Sequence, residues 1–88
     1  MQNNDKLKRV AELISEKRRE CGRQLKELYE RKNKLLIELT DRTIPYNHYL
    51  DAKEMLEFTI DLISDAALEG GVWDQAREIV FNVMEGEA

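Results

Sequence analysis

Few residues in this chain of 88 could carry chemistry, since it has one cysteine, Cys21, and one histidine, His48. A nucleophile needs a base within hydrogen-bond reach, and His48 has no serine or cysteine near it in the sequence to activate. One cysteine and one histidine also cannot complete a four-ligand zinc site made of such ligands. We therefore expect no catalytic residue, no bound metal and no cofactor.

The cysteine itself allows two interpretations. Arg18, Arg19 and Arg23 flank it, and these cations would lower the thiol pKa and favour the thiolate if the side chain is exposed. Its place on a regular apolar stripe favours a small buried hydrophobic side chain instead. The sequence leaves both interpretations open.

A cluster of basic residues surrounds the cysteine. Its members are Lys17, Arg18, Arg19, Arg23 and Lys26. Such a cluster could contact phosphates, so a nucleic-acid or nucleotide binder is one alternative. Glutamates at helical spacing interrupt the cluster, however, which is typical of a solvated helix surface with intrahelical ion pairs. We expect the first four of these residues to contact another protein.

The sign of the charge changes along the chain. Residues 1–44 carry twelve Lys or Arg and eight acids, whereas residues 45–88 carry two and ten. Opposite charges along the rim of a helix pair select its orientation and its partner. We therefore expect the basic first helix to pack on the acidic later helices, within one chain or across a dimer.

Apolar spacing predicts a long first helix over about residues 5–41. Its stripe recurs every seven residues, at Leu7, Ile14, Cys21, Leu28 and Leu35. Such a stripe suits a partner helix that lies almost parallel. Gly22 costs about 1 kcal/mol against alanine inside a helix, and the sequence does not decide whether the helix bends there. Pro45 disfavours helical backbone at the residue before it and marks the end of this segment.

Two further helices are predicted, over about residues 47–69 and 73–85. Gly70-Gly71 separates them, since glycine commonly follows the C-terminus of a helix. Short connections favour antiparallel neighbours. We predict an all-α fold in one helical domain of residues 1–88, in which the long first helix and the second form an antiparallel hairpin and a short third helix packs on it.

These features predict a small non-enzymatic protein that regulates, inhibits or bridges another protein by helical docking. A homodimer is expected, because so short a chain buries a limited core and has no disulfide to stabilise it. Phe81 lies on the flank of the third helix's apolar stripe, so we expect it to contact the partner. No apolar run approaches the length of a membrane span, so we expect a cytoplasmic protein. The alternatives are the nucleic-acid binder and, less favoured, an enzyme whose site forms at a subunit interface.

Overall fold

The computed structural model describes the backbone of residues 2–87 and the side chains of residues 5–86. It is all-helical over this range, with α1 spanning Gln2–Thr40 and α2 spanning Tyr46–Glu87. The two helices form a hairpin 65 Å long and 14 Å across in both other directions. Neither described helix contains an apolar stretch long enough to span a bilayer. The prediction of an all-α hairpin is confirmed.

The predicted short third helix is wrong, because α2 continues through Gly70 and Gly71 to Glu87. No described glycine has the positive φ that terminates helices. Gly70 is buried and faces Arg18 of α1, so its lack of a side chain makes room for a neighbour inside a continuous helix. The residues predicted as 47–69 and 73–85 are therefore two parts of one element.

α1 also continues without a break through Gly22 and the polar stretch around it. The stripe that recurs every seven residues faces α2, where Ile14 and Cys21 are buried and Leu7, Leu28 and Leu35 are half-buried. A second set of α1 residues lies between these positions and completes the seam. It comprises Ala11, Arg18, Leu25, Lys32 and Leu39. The alternation of four and three residues is that of helices packed almost in parallel.

The turn between the helices is held by hydrogen bonds from short polar side chains. Asp41 Oδ1 accepts from the Thr43 hydroxyl at 2.6 Å and from the Thr43 N–H at 2.9 Å. These two bonds, the hydroxyl first, hold the pKa of Asp41 below its ordinary value. Pro45 directly precedes α2, and its carbonyl accepts the first hydrogen bond of the helix from the Tyr49 N–H at 3.0 Å. The missing N–H of proline costs nothing at this position, because the first N–H groups of a helix have no intrahelical acceptor.

The seam buries mainly small side chains. The fully buried residues are Ala11, Ile14, Cys21, Ala52, Thr59, Ala66 and Gly70. Thr59 donates its hydroxyl to the Met55 carbonyl at 2.7 Å, which satisfies this polar group inside the seam. The chain exposes 7152 Å², whereas a compact monomer of this mass exposes about 5,400 Å². The hairpin therefore leaves far more surface in contact with solvent than a globular chain of its size.

Candidate docking surfaces

One flank of α2 carries apolar side chains that α1 does not cover. We call them the second stripe, and they are Met55, Phe58, Leu62, Val72, Ile79 and Val83. All are exposed except Leu62, which is half-buried, and Phe58, Val72 and Ile79 are each more than half exposed. They fall on a row of positions spaced alternately three and four residues apart, the spacing with which a helix packs against a neighbour. The other positions of this row are filled by Asp65, Glu69 and Ala76, so the stripe has no apolar member between Leu62 and Val72.

The second stripe lies on the same side of the hairpin as a matching row of α1. A surface cavity of ≈ 330 Å³ shows this, since residues of both rows line it. From α1 these are Gln24, Glu27 and Arg31, and from α2 they are Leu62, Asp65 and Glu69. The same α1 row begins with the exposed Val10 and Leu13. This side of the molecule is apolar on both helices at the end that holds Val10 and Val83 and charged in its middle, and at the turn end only α2 contributes apolar side chains.

The opposite side carries a groove between the two helices, here called the aromatic groove. Phe81 and Met84 of α2 line it together with Lys8, Ala11, Glu12, Ser15, Glu16 and Arg19 of α1, around a volume of ≈ 460 Å³. Phe81 is 40% exposed, and the Arg77 guanidinium lies over its ring at 5.4 Å from the centroid. Two of the residues predicted as partner contacts, Arg19 and Phe81, are thus brought together although 62 positions separate them in the sequence.

The remaining predicted contact residues are Lys17, Arg18 and Arg23. Arg18 points into the seam, where its Nε donates to Asp74 Oδ1 at 2.9 Å. Lys17 lies 4.0 Å from Glu20, in the row of α1 that faces away from the aromatic groove. Arg23 lines a surface depression formed by α1 alone, together with Arg18, Arg19 and Lys26. Four of the five residues of the basic cluster therefore border one depression, and Lys17 does not line it.

Cys21 is a buried member of the seam, with a side chain only 3% exposed. Removal from water raises the pKa of its thiol, and the neighbouring Glu69 carboxylate raises it further against the opposing charge of Arg18. Of the two interpretations of this residue, the buried hydrophobic one describes its environment. Burial outweighs the lowering of the Cys21 pKa by the neighbouring Arg18.

Groups suited to catalysis or metal binding lie apart. His48 Nε2 is 3.6 Å from Glu38 Oε2 beside the turn, where both side chains are about half exposed. Among the side chains of residues 5–86, no three His, Cys, Asp or Glu residues lie close enough together to hold a metal ion.

The second stripe was not predicted from the sequence. Because a helix end was predicted at Gly70-Gly71, Phe58 fell on one predicted helix, and Val72 and Ile79 fell on the apolar face of the next. The signal was present, because the three- and four-residue steps from Met55 to Val83 stay in register across the glycines. A register that persists through a glycine pair indicates one helix.

The sequence predicted Arg19 and Phe81 as partner contacts but did not predict a groove that joins them. The contributions of Lys8 and Met84 to this groove depend on the pairing of the two helix ends. Comparison with known proteins adds no assignment to these surfaces. The chain matches no protein-family model, no curated protein and no solved structure.

Proposed function

We propose that this chain is a non-enzymatic docking protein that regulates or bridges a partner by binding one of the partner's amphipathic helices. The observation that carries the proposal is the distribution of apolar side chains around α2. Phe58, Ile60, Leu68, Val72 and Phe81 lie on different sides of it and are all exposed. These side chains lie among the exposed charged residues of α2, and exposed apolar patches mark interaction sites.

The aromatic groove is the surface we assign to the partner helix. Arg77 holds one side of the Phe81 ring through a cation–π contact at 5.4 Å, which fixes the aromatic side chain before binding. Met84 beside it is an adaptable apolar surface. An apolar side chain of the partner helix would insert between these two residues, and aromatic anchors of this kind dominate binding energy at interfaces.

The rim of the groove supplies orientation. Lys8 and Arg19 alternate with Glu12 and Glu16 along α1, so the rim presents both signs of charge. Mixed charges at a rim contribute little affinity but discriminate between orientations of a partner helix. A partner with acids opposite Lys8 and Arg19 is therefore the preferred ligand.

A photo-reactive amino acid at position 81, introduced into the chain in its native cells, tests this proposal. The partner that is crosslinked there must also bind the purified chain. We expect Phe81→Ala to weaken that binding by about tenfold and Arg19→Glu to weaken it as well. Leu68→Ala is the matched control, because Leu68 is equally apolar, is 70% exposed and lies away from the groove.

Two results would count against the proposal. The first is a partner whose affinity is equally reduced by Leu68→Ala and Phe81→Ala. The second is a chain that retards DNA or RNA at low salt, with steep loss of binding as salt rises and on changing Arg19 and Arg23 to alanine. That outcome would favour the nucleic-acid alternative.

A further inference from the structure

We propose that the second stripe is covered by a second copy of this chain, so that two hairpins form a four-helix bundle. The two turns lie at the same end, and α1 of each copy packs on α2 of the other. This interface uses the side of the hairpin opposite the aromatic groove. It goes beyond the proposed function, because either surface could work without the other.

The exposed area supports a large permanent interface. The hairpin exposes 7152 Å², roughly 1,750 Å² more than a compact monomer of its mass. A standard protein interface covers about 800 Å² on each partner, and obligate homodimers cover more. The second stripe, with Val10 and Leu13, is a suitable apolar centre for such an interface because helices in bundles pack through rows of this spacing.

Charge favours a second copy and also selects its orientation. The segment 2–40 carries eleven Lys or Arg and seven acids, whereas the segment 46–87 carries two and ten. With both turns at the same end, each basic α1 faces an acidic α2 of the other copy. With the turns at opposite ends, α1 would face α1 and α2 would face α2, which places like charges together.

The positions of individual residues lead to the same orientation. Val10 and Leu13 lie at the end of the hairpin that holds Ile79 and Val83, since Ala11 and Met84 line the same groove between the helices. With the turns together, these apolar ends meet across the interface. In a fully overlapped arrangement with the turns apart, Leu13 would instead face the region of Arg31, so the apolar ends of the two copies would lie at opposite ends of the assembly.

Sedimentation equilibrium of purified variants at micromolar concentration tests the interface. We expect the unmodified chain to sediment at twice its mass of 10.4 kDa. Val72→Glu and Ile79→Glu should each shift the chain to monomer, whereas Leu68→Glu should leave it dimeric. These three positions are 61–70% exposed in the hairpin, so a charge at any of them is tolerated equally unless a second copy covers it.

Mixing two charge variants tests the orientation without touching the apolar stripe. Arg31→Glu and Asp65→Lys each place like charges across the proposed interface, so each variant alone should dimerise more weakly. Their mixture restores opposite charges between copies, and we expect heterodimers well above the half of all dimers that random pairing gives. Contacts within each chain are the same before and after mixing, so only the interface changes the distribution.

Each result of these experiments either supports the proposed dimer or overturns one part of it. A monomer that keeps its helix content at 100 µM overturns the proposal, as does a Val72→Glu chain that stays dimeric. Random pairing in the mixture overturns the orientation. If Val72→Glu and Ile79→Glu lose helix content as well as dimerisation, native mass spectrometry of the mixture decides. A failure here leaves the crosslink at position 81 unaffected, so the two proposals fail separately.

Discussion

The Arg18 side chain of α1 lies directly against Gly70 of α2. A Cβ at residue 70 would sit 3.4 Å from the guanidinium carbon of Arg18, and the same side chain donates from Nε to Asp74 Oδ1 at 2.9 Å. A long cation can therefore cross the middle of a mainly apolar seam because α2 presents no side chain at this point. Gly71, the next residue, has no neighbour within 4 Å of an added Cβ.

The two glycines should respond oppositely to the same substitution. Gly70→Leu forces Arg18 aside and overpacks the seam, so we expect a loss of about 1–3 kcal/mol in the free energy of unfolding. Gly71→Leu places its side chain in open space and replaces a poor helix former, so a gain of up to about 1 kcal/mol is expected. Urea denaturation followed by circular dichroism measures both.

A similar change in stability for both variants would contradict this account of the glycine pair. So would a Gly71→Leu chain of lower helix content than the unmodified chain, since that result would mean that α2 ends at the glycines. Gly71→Ala is a smaller change at the same site and should show a gain of the same sign.

The ion pair of Arg18 with Asp74 should contribute little to stability. The two side chains are 36% and 55% exposed, and ion pairs in contact with water typically contribute less than about 1 kcal/mol. A double-mutant cycle with Arg18→Met and Asp74→Asn isolates their interaction. We expect a coupling of about 0.5 kcal/mol, and a coupling several times larger would show that the pair is far less solvated than its exposure indicates.

The first helix was predictable because its apolar residues recur at seven-residue spacing at five positions, from Leu7 to Leu35, and this period is typical of a helix packed along a partner helix. The second helix was predicted too short, because glycine serves equally as a helix terminator and as a residue that permits close approach. Only the position of Arg18 on the opposing helix distinguishes these uses. Likewise, Phe81 and Arg19 share a groove because of the register in which the two helices pair. The sequence around either residue does not show this register.

Acid should weaken the turn through Asp41. Its pKa in the folded chain is lowered by the Thr43 hydroxyl and N–H, so its contribution to stability is present above the ordinary pKa of 3.8 and disappears as the pH falls through the lower folded-state value. Thr43→Val removes the larger of the two causes. We expect this variant to be slightly less stable at pH 7, with a difference that shrinks toward zero in acid.

Thr40→Val is the control for that measurement, because the Thr40 hydroxyl donates to the Ile37 carbonyl at 2.7 Å rather than to a carboxylate. The loss of thermal stability that Thr40→Val causes should be the same at pH 7 and in acid. If the destabilisation by Thr43→Val were also independent of pH, the hydrogen bond to Asp41 would not be the cause of the lowered pKa.

The Cys21 thiol should react slowly in the folded protein. It is buried, and both burial and Glu69 raise its pKa, so little thiolate is available to a disulfide reagent near neutral pH. We expect modification at pH 7 at least about tenfold slower than that of an exposed control, Lys26→Cys in a Cys21→Ala background. Urea should abolish the difference, and fast modification of the native protein would instead indicate an exposed, arginine-activated thiol.

If the hairpin is one half of a four-helix bundle, the second stripe of α2 is buried between two copies of the chain. Sedimentation equilibrium of the unmodified chain between about 1 and 100 µM distinguishes this dimer from a free hairpin, because large obligate homodimer interfaces persist across such a range. We expect a single species at twice the chain mass of 10.4 kDa. A fully helical monomer at every concentration would overturn the dimer.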